Sequence, residues 1–261
     1  MRSKLIAGNW KMNGLTAYVE ELAKPLAEFM EQEQCASADE DCYEMLVCPP
    51  FPILDRVVQL SAGSKLLVGS QDCHMNVNGA HTGDTSAEMV KDINATHVIV
   101  GHSERRADHG ESDSVVQAKA KAGIEAGLVS IICVGEVKED RESGKAEEVV
   151  AAQLVGSIPP EATAENTVIA YEPVWAIGTG LVASIQDVED MHKAIRAKLA
   201  TIMSDSESVR VLYGGSVKPA NAKEIMLTDN VDGVLVGGAA LTADSFIEIA
   251  RSINFKCKSA Q

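Results

Sequence analysis

The chain has 261 residues, of which 46% are hydrophobic and 23% charged, so it is long enough to bury a large core. Its formal net charge of −15 argues against general binding to nucleic acids, because their phosphate backbones need basic protein faces. It contains no apolar run of about 20 residues and no signal-like N-terminus, so we expect neither a membrane span nor export. The six cysteines are scattered without a CxxC pair and indicate a reducing, cytoplasmic compartment.

Eight short apolar runs alternate with amphipathic stretches along the chain. Because these runs are apolar on both faces, they are typical of parallel strands covered by helices. Strands are predicted at Lys4–Gly8, Glu44–Cys48, Leu66–Gly69, His97–Val100, Val129–Val134, Val168–Tyr171, Val211–Tyr213 and Val231–Val236.

This alternation over about 250 residues favours an α/β protein with a single (β/α)₈ barrel, a closed ring of parallel strands surrounded by helices. An open, doubly wound sheet is the alternative, since the pattern does not establish closure. We expect one catalytic domain over residues 1–255 and a polar C-terminal tail over 256–261.

Several helix features are visible between the strands. Pro25 lies inside the first amphipathic helix and is expected to kink or shorten it. Ser184, followed by Asp187, fits a capping box at the start of a later helix. Ser114 and Ser245 are predicted to begin two others.

The active sites of parallel α/β folds lie at the carboxyl ends of the strands. The residues that follow each predicted strand are therefore the candidates for catalytic and binding residues. Glu172 follows strand six, where an apolar surrounding favours a raised pKa and general-base work. His102 follows strand four at a predicted helix start, which favours a neutral imidazole that can donate to a carbonyl oxygen. Lys11 follows strand one and would be the one fixed cation. Taken singly, Glu172 could equally be an ion-paired residue at a strand end, whereas a lone histidine is more often structural and a lone lysine is usually a solvated surface residue.

Glycine-rich turns follow the last two strands. Gly214-Gly215-Ser216 and Gly237-Gly238 allow backbone N–H groups to approach an anion closely, which favours a phosphate site over plain tight turns. No metal is expected, because the other histidines lack a ligand spacing and are interpreted as structural. They are His74, His81, His97, His109 and His192.

Seven segments, distributed over nearly the whole chain in the same order, resemble the triosephosphate isomerase family. They are GNWKMN (8–13), GHSERR (101–106), ESD (111–113), CVGE (133–136), AYEPVWAIGTG (170–180), YGGSV (213–217) and VGGA (236–239). The AYEPVWAIGTG segment is the most specific of them.

The resemblance implies interconversion of dihydroxyacetone phosphate and D-glyceraldehyde 3-phosphate, in glycolysis and gluconeogenesis, without cofactor or metal. It implies that Glu172 is the catalytic base and His102 the electrophile, and the family is itself the standard example of this pairing. Asn9 and Lys11 are similar to the family's substrate contacts, and Glu104 resembles the carboxylate beside Lys11.

The resemblance also implies the phosphate contacts and a lid that closes over the substrate. The phosphate-binding positions are Gly178, Ser216, Gly237 and Gly238. The lid consists of Pro173, Val174, Trp175, Ala176, Ile177, Gly178, Thr179 and Gly180. Its second hinge departs from the common pattern, because Leu181-Val182-Ala183 replaces a segment that usually begins with Lys.

The loop over 72–86 resembles the arm by which the family's subunits form a homodimer, with Thr82 near the partner's site. His81 stands where an aromatic residue is usual, and Asp84 where Glu is usual. Arg105 is the expected partner of Asp84. An ordinary surface excursion is the alternative interpretation of this loop.

Two other functions remain open from the residues alone. Another phosphosugar-binding barrel enzyme would share the glycine turns, and a non-catalytic barrel would share the fold. The complete set of Asn9, Lys11, His102 and Glu172 favours the isomerase, because neither alternative requires all four.

Overall fold

The computed structural model describes residues 2–33, 43–178 and 181–253. The predicted tail over 256–261 and the lid residues Thr179 and Gly180 lie outside these ranges.

Eight parallel strands form a closed barrel in chain order. They are β1 (Lys4–Asn9), β2 (Tyr43–Cys48), β3 (Leu67–Ser70), β4 (His97–Val100), β5 (Val129–Val134), β6 (Thr167–Tyr171), β7 (Arg210–Tyr213) and β8 (Gly233–Val236). Closure is direct, because β1 pairs with both β2 and β8, with Leu5 opposite Gly233. The barrel prediction is confirmed, the open sheet is excluded, and each predicted strand lies within two residues of the observed bounds.

The apolar character of both strand faces has two origins. Alternate side chains point into the barrel, where Leu5, Ala7 and Leu46 belong to one buried cluster. The side chains between them, such as Ile6 and Met45, belong to a larger cluster that packs under the helices. Strands buried on both sides therefore lose the polar alternation of a solvated sheet.

The helices surround the barrel. Within the described residues they are α1 (Thr16–Gln32), α2 (Phe51–Ser61), α3 (Ala87–Asp92), α4 (Ser103–His109), α5 (Asp113–Glu125), α6 (Lys138–Glu142), α7 (Ala146–Ser157), α8 (Ile185–Leu199), α9 (Pro219–Leu227) and α10 (Ala243–Arg251). Short 3₁₀ turns lie at Val174–Ala176, Ser206–Ser208 and Gly238–Leu241. None of these helices is both long and apolar enough to span a membrane.

The helix predictions have mixed outcomes. Helix α1 continues through Pro25, so the expected shortening is wrong; its buried apolar face holds the helix to the barrel. The capping box of Ser184 and Asp187 at α8 is confirmed. The predicted start of α5 is wrong by two residues, because Ser112 accepts the capping hydrogen bond in place of Ser114. Ser245 lies inside α10, which begins at Ala243.

Candidate active site

A cavity of about 690 Å³ opens at the carboxyl ends of the strands. Its lining includes most of the predicted site residues, namely Asn9, Lys11, His102, Glu104, Gly178, Ser216, Gly237 and Gly238. These residues follow strands β1, β4, β6, β7 and β8, so barrel closure is what brings them together. Glu172 does not line the cavity; its carboxylate lies behind His102.

Glu172 is held at the start of α4 rather than in solvent, with only 1% of the residue exposed. Ser103 donates its backbone N–H to Glu172 Oε2 at 2.9 Å and its hydroxyl to Oε1 at 3.0 Å. Burial raises the pKa of Glu172, but His102 and Ser103 outweigh it and hold the pKa below its usual range. The expectation of a raised pKa is therefore wrong for this arrangement, because the sequence did not reveal these donors.

His102 is the N-cap residue of α4, and its Nδ1 accepts the backbone N–H of Glu104 at 3.3 Å. A neutral ring in this position carries its proton on Nε2, which lies 3.0 Å from Glu172 Oε1. Burial lowers the pKa of His102, whereas the neighbouring Glu172 carboxylate raises it and sets the net direction upward. The predicted position of His102 at a helix start is confirmed, but the neutral imidazole expected there is opposed by the adjacent Glu172 carboxylate, which raises the pKa of His102.

Lys11 is placed by an unusual backbone. Its φ of 53° lies in the left-handed region that non-glycine residues rarely adopt. Asn9 Oδ1 accepts the Lys11 N–H at 2.9 Å, and Gln71 Nε2 donates to the Lys11 carbonyl at 2.9 Å. The Lys11 ammonium contacts Glu104 Oε1 at 2.5 Å, so the two predicted neighbours lie together. These contacts fix a cation at the cavity wall.

The space around the glycines in these two turns differs from one position to the next. A Cβ on Gly214 would lie 3.0 Å from the Tyr171 carbonyl and 3.1 Å from Glu172 Cγ, so this glycine makes room for the buried carboxylate. A Cβ on Gly237 would lie 3.4 Å from Lys11 Cε, whereas one on Gly238 would meet nothing within 4 Å. Backbone at Gly238 therefore faces open space at the cavity, which suits close approach of an anion.

The first half of the predicted lid packs on a buried carboxylate. Trp175 Nε1 donates to Glu136 Oε1 at 2.8 Å, and Tyr171 O–H donates to the same oxygen at 3.1 Å. Burial raises the pKa of Glu136, although these two donors oppose the change. Pro173 precedes the Val174–Ala176 turn, while Ile177 and Gly178 reach the cavity, with a φ of 70° at Gly178.

The residues predicted for the dimer loop lie away from the cavity lining. Thr82 and Asp84 are exposed. Arg105 is already paired within the chain, with Asp72 at 2.9 Å and Glu111 at 2.7 Å. The expected contact between Arg105 and Asp84 across two subunits stays a prediction.

Several site residues were missed. Ser103 follows His102 directly, and its position at a helix N-terminus was the available signal. Lys218 also lines the cavity, but it is exposed, whereas Lys11 is held by Asn9, Gln71 and Glu104. Gln71 was not singled out, and Glu136 entered only as the last residue of the CVGE segment; both act through long-range contacts that the sequence does not indicate.

Comparison with known proteins agrees with this geometry. The family model described as triosephosphate isomerase matches residues 4–253. The triosephosphate isomerase of Rhodopseudomonas palustris is 56% identical over 94% of this chain and 96% of that protein. That of Rhizobium meliloti is 51% identical over 95% of both chains.

Solved structures give the same result. The crystal structure of triosephosphate isomerase from Bartonella henselae has a TM-score of 0.86 and 43% identity, covering 95% of this chain and 98% of that one. The matches extend through β1 to β8 and every turn of the cavity described above. The chain belongs to the triosephosphate isomerase family.

Proposed function

We propose that the chain interconverts dihydroxyacetone phosphate and D-glyceraldehyde 3-phosphate through an enediolate, with Glu172 as the base. The observation that carries this proposal is the 3.0 Å contact between the Glu172 carboxylate and His102 Nε2 beside a cavity that also presents Lys11 and two glycine turns. A base, a hydrogen-bond donor and a fixed cation are what proton transfer beside a carbonyl requires.

Glu172 has to move before it can act. Its carboxylate is buried against Ser103 and does not line the cavity, so reaching a substrate carbon means leaving both Ser103 donors. Losing those donors in a buried surrounding raises the pKa of the carboxylate. Glu172 therefore becomes a stronger base as it meets the substrate, and it takes the proton from the carbon next to the carbonyl.

His102 changes partner in the same motion. Its Nε2 proton, now directed at Glu172, becomes available to the substrate's carbonyl oxygen once the carboxylate leaves. Without that anion, burial and the N–H groups of α4 favour the neutral ring. His102 then gives its Nε2 proton to the developing oxyanion and takes the hydroxyl proton from the adjacent oxygen, so that one proton moves between the two oxygens. The protonated Glu172 delivers its proton to the neighbouring carbon, which completes the isomerisation.

The phosphate group is assigned to the glycine turns. Gly237, Gly238 and Ser216 line the cavity, and Lys11 lies next to Gly237. Gly178 contributes from the lid, whose closure would bring another backbone N–H to the phosphate and exclude water. Exclusion matters because an enediolate exposed to water can eliminate its phosphate.

We also propose that the protein is a homodimer in the cytoplasm. Met12 and Leu15 are 95% and 81% exposed, an unfavourable state for large apolar side chains in a lone subunit. Gln71, at the base of the 72–86 loop, bonds to the Lys11 carbonyl, so the loop leaves the barrel beside Met12. Free thiols at Cys48, Cys73 and Cys133 suit a reducing compartment.

The function is tested by a coupled assay with each triose phosphate and purified protein. We expect turnover in both directions, and none with a phosphorylated aminoaldose or an aldol substrate of the same size. A folded protein that turns over neither triose phosphate would exclude the isomerase; turnover of only the other substrates would favour a different phosphosugar enzyme.

Sedimentation of the purified protein at low concentration tests the proposed homodimer. A stable, fully active monomer would contradict it.

A further inference from the structure

Arg141 contacts both the lid and the segment that follows it. It lies on α6, the short helix after β5. Its guanidinium lies over the ring of Trp175, 5.5 Å from the ring centroid, and forms an ion pair with Asp187 in the first turn of α8. Trp175 belongs to the first half of the lid, whereas Asp187 follows the second hinge, Leu181-Val182-Ala183. Arg141 therefore connects the two ends of the lid.

The two carboxylate oxygens of Asp187 have different partners. Oδ2 accepts the Ser184 backbone N–H at 3.0 Å and its hydroxyl at 2.7 Å, as part of the capping box of α8. Oδ1 accepts a hydrogen bond from Arg141 Nη2. Ser184 comes directly after the second hinge, so the carboxylate that holds the end of this hinge is also bound to α6. Arg141 therefore fixes the place where the lid rejoins the barrel.

The same guanidinium lies near the buried carboxylate that holds Trp175. Arg141 Nη1 is 3.7 Å from Glu136 Oε1, the oxygen that accepts the Trp175 indole N–H at 2.8 Å. Trp175 is thus held by Glu136 at its N–H and by the Arg141 cation at its ring face. Because the Arg141 side chain is only 28% exposed, solvent ions screen these interactions less than those of an exposed pair.

We propose that Arg141 is a positioning residue for the lid. It holds Trp175 and Ser184 at a fixed separation, so that Gly178 between them reaches the phosphate of the substrate. This role rests on the proposed isomerase function. It matters for the rate, because a misplacement of about 1 Å in an active site can cost on the order of 10²-fold. A guanidinium suits the role, because its planar edge pairs with a carboxylate while its face stacks on an aromatic ring.

An ordinary surface ion pair does not account for this arrangement. Exposed pairs contribute little to stability and need only one partner. Arg141 contacts three segments through Glu136, Trp175 and Asp187, and each of these side chains is buried or half-buried. Loss of the guanidinium is therefore expected to change the relative placement of the three segments.

A comparison of two substrates separates this role from general damage. D-Glyceraldehyde 3-phosphate engages the lid through its phosphate, whereas D-glyceraldehyde has the same carbonyl and the same transferable proton without the phosphate. A displaced lid lowers kcat/KM for the phosphorylated substrate alone, while damage to the barrel or to Glu172 lowers both values. Glyceraldehyde is expected to react slowly without phosphate binding energy, so its conversion is followed by NMR at high enzyme concentration.

The decisive variants are Arg141→Met and Asp187→Asn. The first removes the guanidinium and keeps an unbranched side chain. The second can keep an oxygen for the Ser184 cap while it turns an amide NH₂ toward Arg141, so it breaks the ion pair and spares the helix start. We expect each variant to lower kcat/KM for D-glyceraldehyde 3-phosphate by about 10- to 100-fold and to leave that for D-glyceraldehyde unchanged. The matched control is Arg56→Met, which removes an ion pair with Glu20 and should leave both values unchanged.

The double variant Arg141→Met/Asp187→Asn shows whether the two side chains act as one unit. Its loss should equal that of Arg141→Met, because either substitution already breaks their contact. Parent-level kcat/KM in either single variant, equal losses with both substrates, or losses that multiply in the double variant would overturn the role while the isomerase function stands. If Arg141→Met does not fold, Asp187→Asn decides by the same comparison of substrates. A parent protein that is inactive toward both triose phosphates would refute the proposed function, and this role with it.

Discussion

Ser103 holds the Glu172 carboxylate with two hydrogen bonds, one from its backbone N–H at 2.9 Å and one from its hydroxyl at 3.0 Å. The proposed base is therefore stabilised as an anion in a place from which it cannot reach a substrate. This contact gives the resting enzyme a carboxylate with a low pKa, and its loss on substrate binding gives a stronger base.

Ser103→Ala tests that contact. The variant removes one donor to the buried carboxylate, so the pKa of Glu172 moves up from its depressed value and the acid limb of the pH profile of kcat/KM moves up with it. The free energy of unfolding at neutral pH falls by about 1.5–3 kcal/mol, as for a hydrogen bond to a charged group. An unchanged acid limb, with normal folding, would mean that Ser103 does not control this carboxylate.

Lys11→Met and Lys218→Met form a matched pair of cavity cations. Lys11 is fixed by a left-handed backbone and by Glu104, whereas Lys218 is exposed at the rim. We expect Lys11→Met to lower kcat/KM by about 10²–10³-fold, as for removal of one preorganised electrostatic contact, and Lys218→Met by less than about tenfold. Steady-state kinetics of both variants checks this, and equal losses would contradict it.

Gly215→Ala and Gly238→Ala separate packing from phosphate binding. A Cβ on Gly215 would lie 2.2 Å from the Tyr213 hydroxyl and 2.9 Å from Pro173 Cγ, so the variant loses about 1–3 kcal/mol of unfolding free energy through overpacking. A Cβ on Gly238 meets no atom within 4 Å, so stability is kept while KM rises, because the methyl group stands in the proposed phosphate position. Urea unfolding and kinetics distinguish the two outcomes; a stable Gly215→Ala would contradict the packing argument.

Two buried histidines predict how stability depends on pH. Burial lowers the pKa of His97 to about 3 and that of His192 to about 4, from a usual value of 6.5. Below pH 6.5 the unfolded chain binds protons that the folded chain does not, so the free energy of unfolding falls as the pH falls toward these values. His102, with a raised pKa, contributes with the opposite sign: its stabilisation is complete below pH 6.5 and is lost as the pH rises through its folded pKa.

His192→Asn checks this dependence. Asn can keep the hydrogen bond that His192 Nδ1 makes to the Asn230 carbonyl while removing the titrating ring. Between pH 5 and 6, the slope of unfolding free energy against pH should fall by about 1.1 kcal/mol per pH unit, because most but not all of one proton separates the unfolded from the folded ring there. An unchanged slope in a folded His192→Asn protein would contradict the account.

The barrel and most of the cavity could be predicted because both depend on local pattern. Apolar runs define the strands, and strand ends define the side of the barrel on which Lys11, His102 and Gly237 meet. What could not be predicted depends on contacts between distant segments. The pKa of Glu172 is set by Ser103 and His102, 69 residues or more away along the chain.

The central claim, that Glu172 is the base, is tested most directly by the kcat of Glu172→Gln. The amide keeps the size of the side chain and removes its basicity. We predict a loss of about 10²–10⁴-fold in kcat, the usual contribution of a general base, with a KM close to that of the parent enzyme. A folded Glu172→Gln protein whose kcat stays within a fewfold of the parent's would contradict the account.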